Sequence, residues 1–161
     1  MYTYEDLQDI ELLLKKRWKI TLVPAVLILA AAIAVFIYGQ LNRSDQLWKL
    51  TVALTILGGG YFLFFFGLYI RPARSYRTHV LYMLEGRKRI TTGVFKSFSE
   101  DVSNRDGVEC HAMMLNVGST DDPEDDRLFY YDVHKPRPEC ALGTMVTVHS
   151  NDKMIASFEI A

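Results

Sequence analysis

Charge is absent from two long stretches of the chain, Ile20 to Asn42 and Leu50 to Ile70. Basic residues bound both, Lys19 and Arg43 for the first and Lys49 and Arg71 for the second. A helix rises about 1.5 Å per residue, so a hydrocarbon layer of about 30 Å needs roughly 20 apolar residues. Both stretches reach that length, and the polar turn Asn42 to Gln46 joins them. The pattern predicts two transmembrane helices in a hairpin over residues 20–71. Ahead of it, Leu7, Ile10, Leu13 and Leu14 recur at helical spacing, and Thr3 and Asp6 stand at capping-box positions. Residues 1–19 therefore read as an amphipathic helix lying at the membrane interface, with a basic end that holds Trp18. Docking a partner is the other use of such a helix.

After Arg71, Pro72 is expected to end the second span. Residues 72–87 read as a short linking helix, with Ser75 as cap and Gly86 as stop. Beyond it the period changes from helical to alternating. Strands are expected at Arg89–Phe98, Val108–Asn116, Arg127–Val133, Thr144–Ser150 and Met154–Ile160. Asn104-Arg105-Asp106-Gly107 and Ser150-Asn151-Asp152-Lys153 carry turn chemistry between them. The fold class is thus an α-helical membrane hairpin followed by a small all-β barrel over residues 88–161. Five short antiparallel strands without a long crossover make it OB-like or SH3-like.

The last hairpin, from Gly143 to Ile160, combines a glycine, valine alternation, an Asn-Asp-Lys turn and a returning strand. In this it resembles the closing strands of NfeD-like proteins, which carry a C-terminal OB domain behind a few membrane helices. The resemblance covers about the last forty residues, and this chain departs from it in having two spans. It implies an assembly or scaffolding role and carries over no functional residue.

Small residues mark both spans. Ala25 and Ala32 are seven apart in the first, Gly60 and Gly67 seven apart in the second. Helices in lipid associate where small side chains let backbones approach, so these four are the candidate helix-packing residues, toward each other or another subunit. Gly58, about 200° round the helix from Gly60, is expected to face lipid. Thr51 and Thr55 are expected to bond back to their own helix. Pro24 is expected in the first turn of the first span, where a missing N–H matters little.

Orientation follows the basic residues. Lys15, Lys16, Arg17 and Lys19 precede the first span, and Arg71, Arg74 and Arg77 follow the second. These seven are the candidate membrane-surface residues, and Arg87-Lys88-Arg89 could join them at anionic headgroups. They place both termini in the cytoplasm of a bacterial-type inner or plasma membrane. The competing signal-peptide reading rests on Ala30-Ala31-Ala32 and Ala34, but the leading segment is long and carries acids.

Net charge of the whole chain is −1 and mean hydropathy is near zero, an average over two unlike halves. From Arg71 onward, twelve Lys/Arg face fourteen Asp/Glu, which gives no basic field for nucleic acid. Phe129-Tyr130-Tyr131 alternates on a strand, where one subset is expected in the core and the other exposed beside an acidic loop. Cys110 and Cys140 are expected as reduced, buried thiols. Cys110 and His111 point to opposite faces of one strand, and His134 with Cys140 lacks ligand spacing, so no metal or other cofactor is expected. The acidic run Asp121-Asp122-Pro123-Glu124-Asp125-Asp126 lacks the glycine of a calcium loop. No GxSxG, P-loop or HExxH occurs, and no catalytic residue is assigned.

With no Asp, Glu, Lys, Arg or His inside either span, transport by this chain alone is not indicated. The expected function is a membrane-anchored interaction or assembly module. Its partners are the lipid bilayer and either another membrane protein or further copies of itself. The alternative is a ligand-sensing effector whose barrel binds a small molecule or nucleotide.

Overall fold

Two-residue turns set the register of the sheet. Asp106 and Gly107 both take positive φ, as do Asp152 and Lys153, the geometry that matches strand twist in tight hairpins. The first joins β1 (Arg89–Arg105) to β2 (Val108–Asn116), the second β4 (Met145–Asn151) to β5 (Met154–Ile160). Strand β3 spans Asp126–Asp132. The computed structural model describes residues 1–44, 46–118 and 122–160. Asp45 in the polar turn and Asp121 in the acidic run lie outside them.

The five expected strands are present, and they form a mixed sheet. Strands pair in the order β1-β2-β3-β5-β4, and β4 pairs back with β1, so the ladder closes. Four pairings are antiparallel, and β3 with β5 is parallel through Tyr130 and Met154. The expectation of five antiparallel strands is therefore corrected. Directions that alternate round a ring return to the start only for an even number of strands. A closed ring of five must contain a parallel pair.

Strand β1 runs seven residues beyond the expected end at Phe98. Two register shifts, between Phe95 and Ser97 and between Phe98 and Val102, carry it past its apolar part. The polar continuation is held by ladder bonds and by Ser103 Oγ donating to the Cys110 carbonyl at 3.2 Å. Gly93 sits where a Cβ would fall 2.5 Å from the Asn116 carbonyl oxygen, so the close approach of β1 to β2 needs glycine there. The inner core holds Phe95, Met113, Leu115, Phe129, Tyr131, Val146, Val148 and Ile155.

Two units make up the chain, residues 10–74 and residues 1–9 with 75–161. In residues 10–74 the helices are longer than the pattern implied. Helix α1 runs unbroken over Tyr4–Leu41, so the amphipathic segment and the first apolar stretch are one helix. Helix α2 covers Leu47–Phe65, a π-helical turn Phe66–Ile70 follows, and α3 covers Arg71–Glu85. Pro72 therefore does not end a helix. Its ring would clash with the carbonyl four residues back in a regular α-helix, and it has no N–H to offer. The wider π turn just ahead, with Arg71 N–H donating to the Phe66 carbonyl, absorbs this. Ser75 consequently lies inside α3 and is not its cap.

Pro24 is corrected in the same sense. It lies deep inside α1, and its missing N–H leaves the Ile20 carbonyl without the usual helical donor. Tyr61 of α2 supplies one, its hydroxyl donating to that oxygen at 3.0 Å. Arg17 Nη1 likewise donates to the Tyr69 carbonyl of the π turn at 2.8 Å. Thr51 and Thr55 bond back to Leu47 and Thr51. Tyr61→Phe is expected to lower the thermal stability of the hairpin by about 1 kcal/mol, since it leaves the Ile20 carbonyl without that donor. Unfolding of the variant and wild type in one detergent measures it.

The facing residues of α1 include Thr21, Ala32 and Gly39, all buried, with Ile28 against Gly58 and Gly39 against Leu47. Only 11% and 6% of the two apolar windows is buried, so most of the apolar surface points outward, as in Leu27, Ile56 and Leu63. A core helix of a soluble domain shows the reverse. Both helices are long and apolar enough to cross a membrane.

Candidate functional site

Strand β3 is buried on both faces. Phe129 and Tyr131 enter the inner core, while Tyr130 joins Val108 and Cys110 in a second cluster packed by Tyr76, Leu128 and Met154. The subset expected to be exposed is therefore covered. Tyr76 comes from α3 and packs on this outer face. Asp132, two residues beyond Tyr130, shares the face and is fully buried.

Burying a carboxylate requires hydrogen-bond donors around it. Asp132 Oδ2 accepts from the Tyr76 hydroxyl at 2.8 Å and from the Tyr2 hydroxyl at 3.0 Å. Its Oδ1 accepts from the His134 backbone N–H at 2.8 Å. Tyr2 also lies 3.0 Å from His79 Nε2. A phenol has one proton, and Tyr2 gives it to Asp132. His79 Nε2 therefore carries the hydrogen in that contact. The result is a directed chain from His79 through Tyr2 to Asp132.

Residues 2–6 are held to the same unit by further contacts. Thr3 and Asp6 form the reciprocal capping box, with Thr3 N–H to Asp6 Oδ2 at 2.7 Å and Asp6 N–H to Thr3 Oγ1 at 3.2 Å. Asp6 Oδ1 pairs with Lys135 Nζ at 2.9 Å, and that ammonium stands 5.0 Å from the centre of the Tyr2 ring. His134 meets Tyr76 edge-on. Arg105 stacks over the Tyr130 ring and donates to its hydroxyl.

Burial and charge move several groups of this cluster away from their ordinary values. Burial first, and then the Asp132 charge, hold the Tyr2 and Tyr76 phenols well above their ordinary value. The same two causes push the Cys110 thiol up to about 12. Burial lowers His79, with Asp132 and Asp106 opposing. Burial would raise Asp6, but its bonds to Lys135 and Thr3 outweigh that and hold it below the usual carboxylate range. A thiol that stays protonated is a poor nucleophile, and Asp132 is closed to solvent. The arrangement is suited to holding a segment in place.

Other sequence-derived candidates lie elsewhere. Among the helix-packing residues, Ala32 is buried and Ala25 half-buried, whereas a Cβ on Gly60 or Gly67 would meet nothing within 4 Å. Gly58, expected at lipid, is buried instead, with its Cβ position 2.9 Å from Ile28 Cγ2. Helical phase from Gly60 could not say which side α1 takes. Lys15, Lys16, Lys19, Arg71 and Arg74 are exposed, and Arg17 and Arg77 half-buried. Cys110 is buried and Cys140 half-buried, and neither is bonded to another cysteine.

No protein-family model, curated protein or solved structure matches this chain. The likeness to NfeD-like domains rests on the pattern of the closing hairpin alone. Asp132 was missed in the sequence, although an acid on an apolar strand is a signal that could have pointed to a buried polar site. Tyr2 carried no signal, because its partner lies 130 residues away.

Proposed function

We propose that this chain is a membrane-anchored interaction or assembly module, accessory to a membrane protein complex. The observation that carries the reading is an unused small-residue surface. The contact between α1 and α2 uses Gly58 and buries Ala32, while Gly60 on α2 and Gly67 in the π turn after it have open space where a Cβ would go. In lipid such a surface favours close approach of another helix, from a membrane partner or a second copy. Outward apolar surface on both helices supports their crossing the bilayer, and the flanking lysines and arginines support cytoplasmic ends.

For the soluble part we infer an OB-like barrel. In support, β4 returns beside β1 and not beside β3, a Greek-key step within a closing five-strand ring. On this reading the ring presents a surface to a partner protein. Ligand sensing stays the alternative, distinguished by a metabolite-induced rise in melting temperature.

Cross-linking of the full chain in native membranes tests the proposal. Wild type is expected to give a discrete higher-mass species, and Gly60→Leu and Gly67→Leu to weaken it about tenfold, roughly 1.4 kcal/mol. A wild type that stays monomeric and captures no other protein, or variants that associate as well as wild type, would count against it.

A further inference from the structure

A cavity of about 110 Å³ lies at the end of the hairpin where α1 turns into α2. Its wall grades from apolar to polar. One turn back along α1 it is formed by Val35 and Phe36, and toward the turn by Gln40, Arg43 and Ser44, with Trp48 of α2 alongside. Buried Gly39 lets the two helices close beside it, its Cβ position 3.1 Å from Leu47 Cβ.

The backbone at Arg43 does not account for an arginine there. Helix α1 ends with Ser44 N–H donating to the Gly39 carbonyl at 3.1 Å and Arg43 N–H to the Gln40 carbonyl at 3.4 Å. This pair of bonds puts the residue after the cap in the left-handed region, where glycine is usual because a Cβ is strained. Arg43 occupies that position with φ 47°. Topology does not account for it either. On the proposed orientation this turn lies outside, whereas lysine and arginine concentrate in cytoplasmic loops. Among the described residues, none accepts a hydrogen bond from the Arg43 guanidinium, and the side chain is exposed.

We propose that this cavity is a headgroup site for an anionic phospholipid, with the Arg43 guanidinium on the phosphodiester and Val35 and Phe36 toward the acyl chains. The planar fork of an arginine matches phosphate oxygens, and charge assistance makes those bonds strong. Ser44 and Gln40 add a hydroxyl and an amide within the same wall. An indole such as Trp48 belongs at headgroup depth. Arg43 and Lys49 stand against the single acid Asp45 in this part of the sequence, which favours an anionic headgroup over one with its own cation. Size agrees with a headgroup end. The cavity is several times the roughly 30 Å³ of a water and well below the roughly 300 Å³ at which pockets enclose whole drug-sized ligands. The site rests on the proposed membrane crossing and is independent of helix association through Gly60 and Gly67.

Native mass spectrometry of the full chain tests it, with phosphatidylglycerol or phosphatidylcholine added in detergent at equal concentration. Wild type is expected to retain phosphatidylglycerol about tenfold more tightly than Arg43→Gly, and to prefer it to phosphatidylcholine. Without lipid, Arg43→Gly should melt at or above wild type, because glycine takes this φ without strain. Lost binding is then not lost folding. Lys49→Gln removes the same charge close by but does not line the cavity, and should bind like wild type. Inorganic phosphate should neither displace phosphatidylglycerol nor raise the melting temperature. Displacement by it would make this a free-anion site and overturn the lipid assignment. Equal retention by wild type and Arg43→Gly would overturn the proposal, as would a Lys49→Gln variant that loses as much. An Arg43→Gly variant that melts clearly below wild type would remove the argument that this arginine serves a ligand. Cysteine accessibility of the turn reports the crossing separately, so a failed lipid test with the expected labelling strikes this site alone.

Discussion

Asp132→Ala is expected to destabilise the sheet-bearing unit by at least about 3 kcal/mol, because a buried donor left without a partner costs about 1–3 kcal/mol. Three donors converge on this carboxylate, the hydroxyls of Tyr2 and Tyr76 and the His134 N–H. Alanine removes the acceptor for all three, while burial keeps water from replacing it. Domains of this size have about 5–15 kcal/mol in total, so the variant should lose much of its stability. Asp132→Asn keeps the shape and one acceptor oxygen and should fall between. Tyr2→Phe removes one donor and should cost about 1 kcal/mol. Chemical denaturation of the full chain in a mild detergent, followed by near-ultraviolet circular dichroism, ranks the three. Equal stability of Asp132→Ala and wild type would mean that the cluster contributes nothing to the fold.

Gly58→Leu is expected to destabilise the helical hairpin by about 2 kcal/mol, within the usual range for overpacking a close contact. A Cβ at Gly58 would already stand 2.9 Å from Ile28 Cγ2, and a leucine places three further carbons beyond it. Ile28 is branched at Cβ and has little freedom to swing away inside a helix. Gly59→Leu is the control. It makes the same gain in helix propensity, and its Cβ position is open. Thermal unfolding in one detergent should therefore place Gly59→Leu at or above wild type and Gly58→Leu clearly below. Similar melting of the two variants would show that α1 and α2 do not meet at Gly58.

The contrast between glycines shows what a sequence pattern can carry. Spacing of seven identified two faces with small residues, but only the position of α1 decides which glycine it covers. The two prolines are a similar case. Each was legible as a helix punctuator, yet Pro24 and Pro72 both sit within continuous helix. The π turn accommodates Pro72, and Tyr61 bonds the carbonyl that Pro24 leaves. Strand positions were largely readable because alternation and turn residues are local signals. Closure of the ring and its parallel pair depend on contacts between distant strands. The cluster at Asp132 was not read from the sequence, although one signal for it was there. A strand acid among apolar residues announces a buried site, but its donors come from residue 2 and from α3.

Cysteine labelling in intact cells tests most directly the proposed topology, in which the hairpin crosses the membrane with the sheet-bearing unit on the cytoplasmic side. In a chain with Cys110 and Cys140 replaced by serine, single cysteines are placed at Ser44, in the turn between α1 and α2, and at Ser103, on β1. Ser44→Cys is expected to react with a membrane-impermeant maleimide in intact cells, and Ser103→Cys only after permeabilisation. Labelling at Ser103 but not Ser44 in intact cells would reverse the orientation, and equal accessibility of both would contradict a membrane-crossing hairpin.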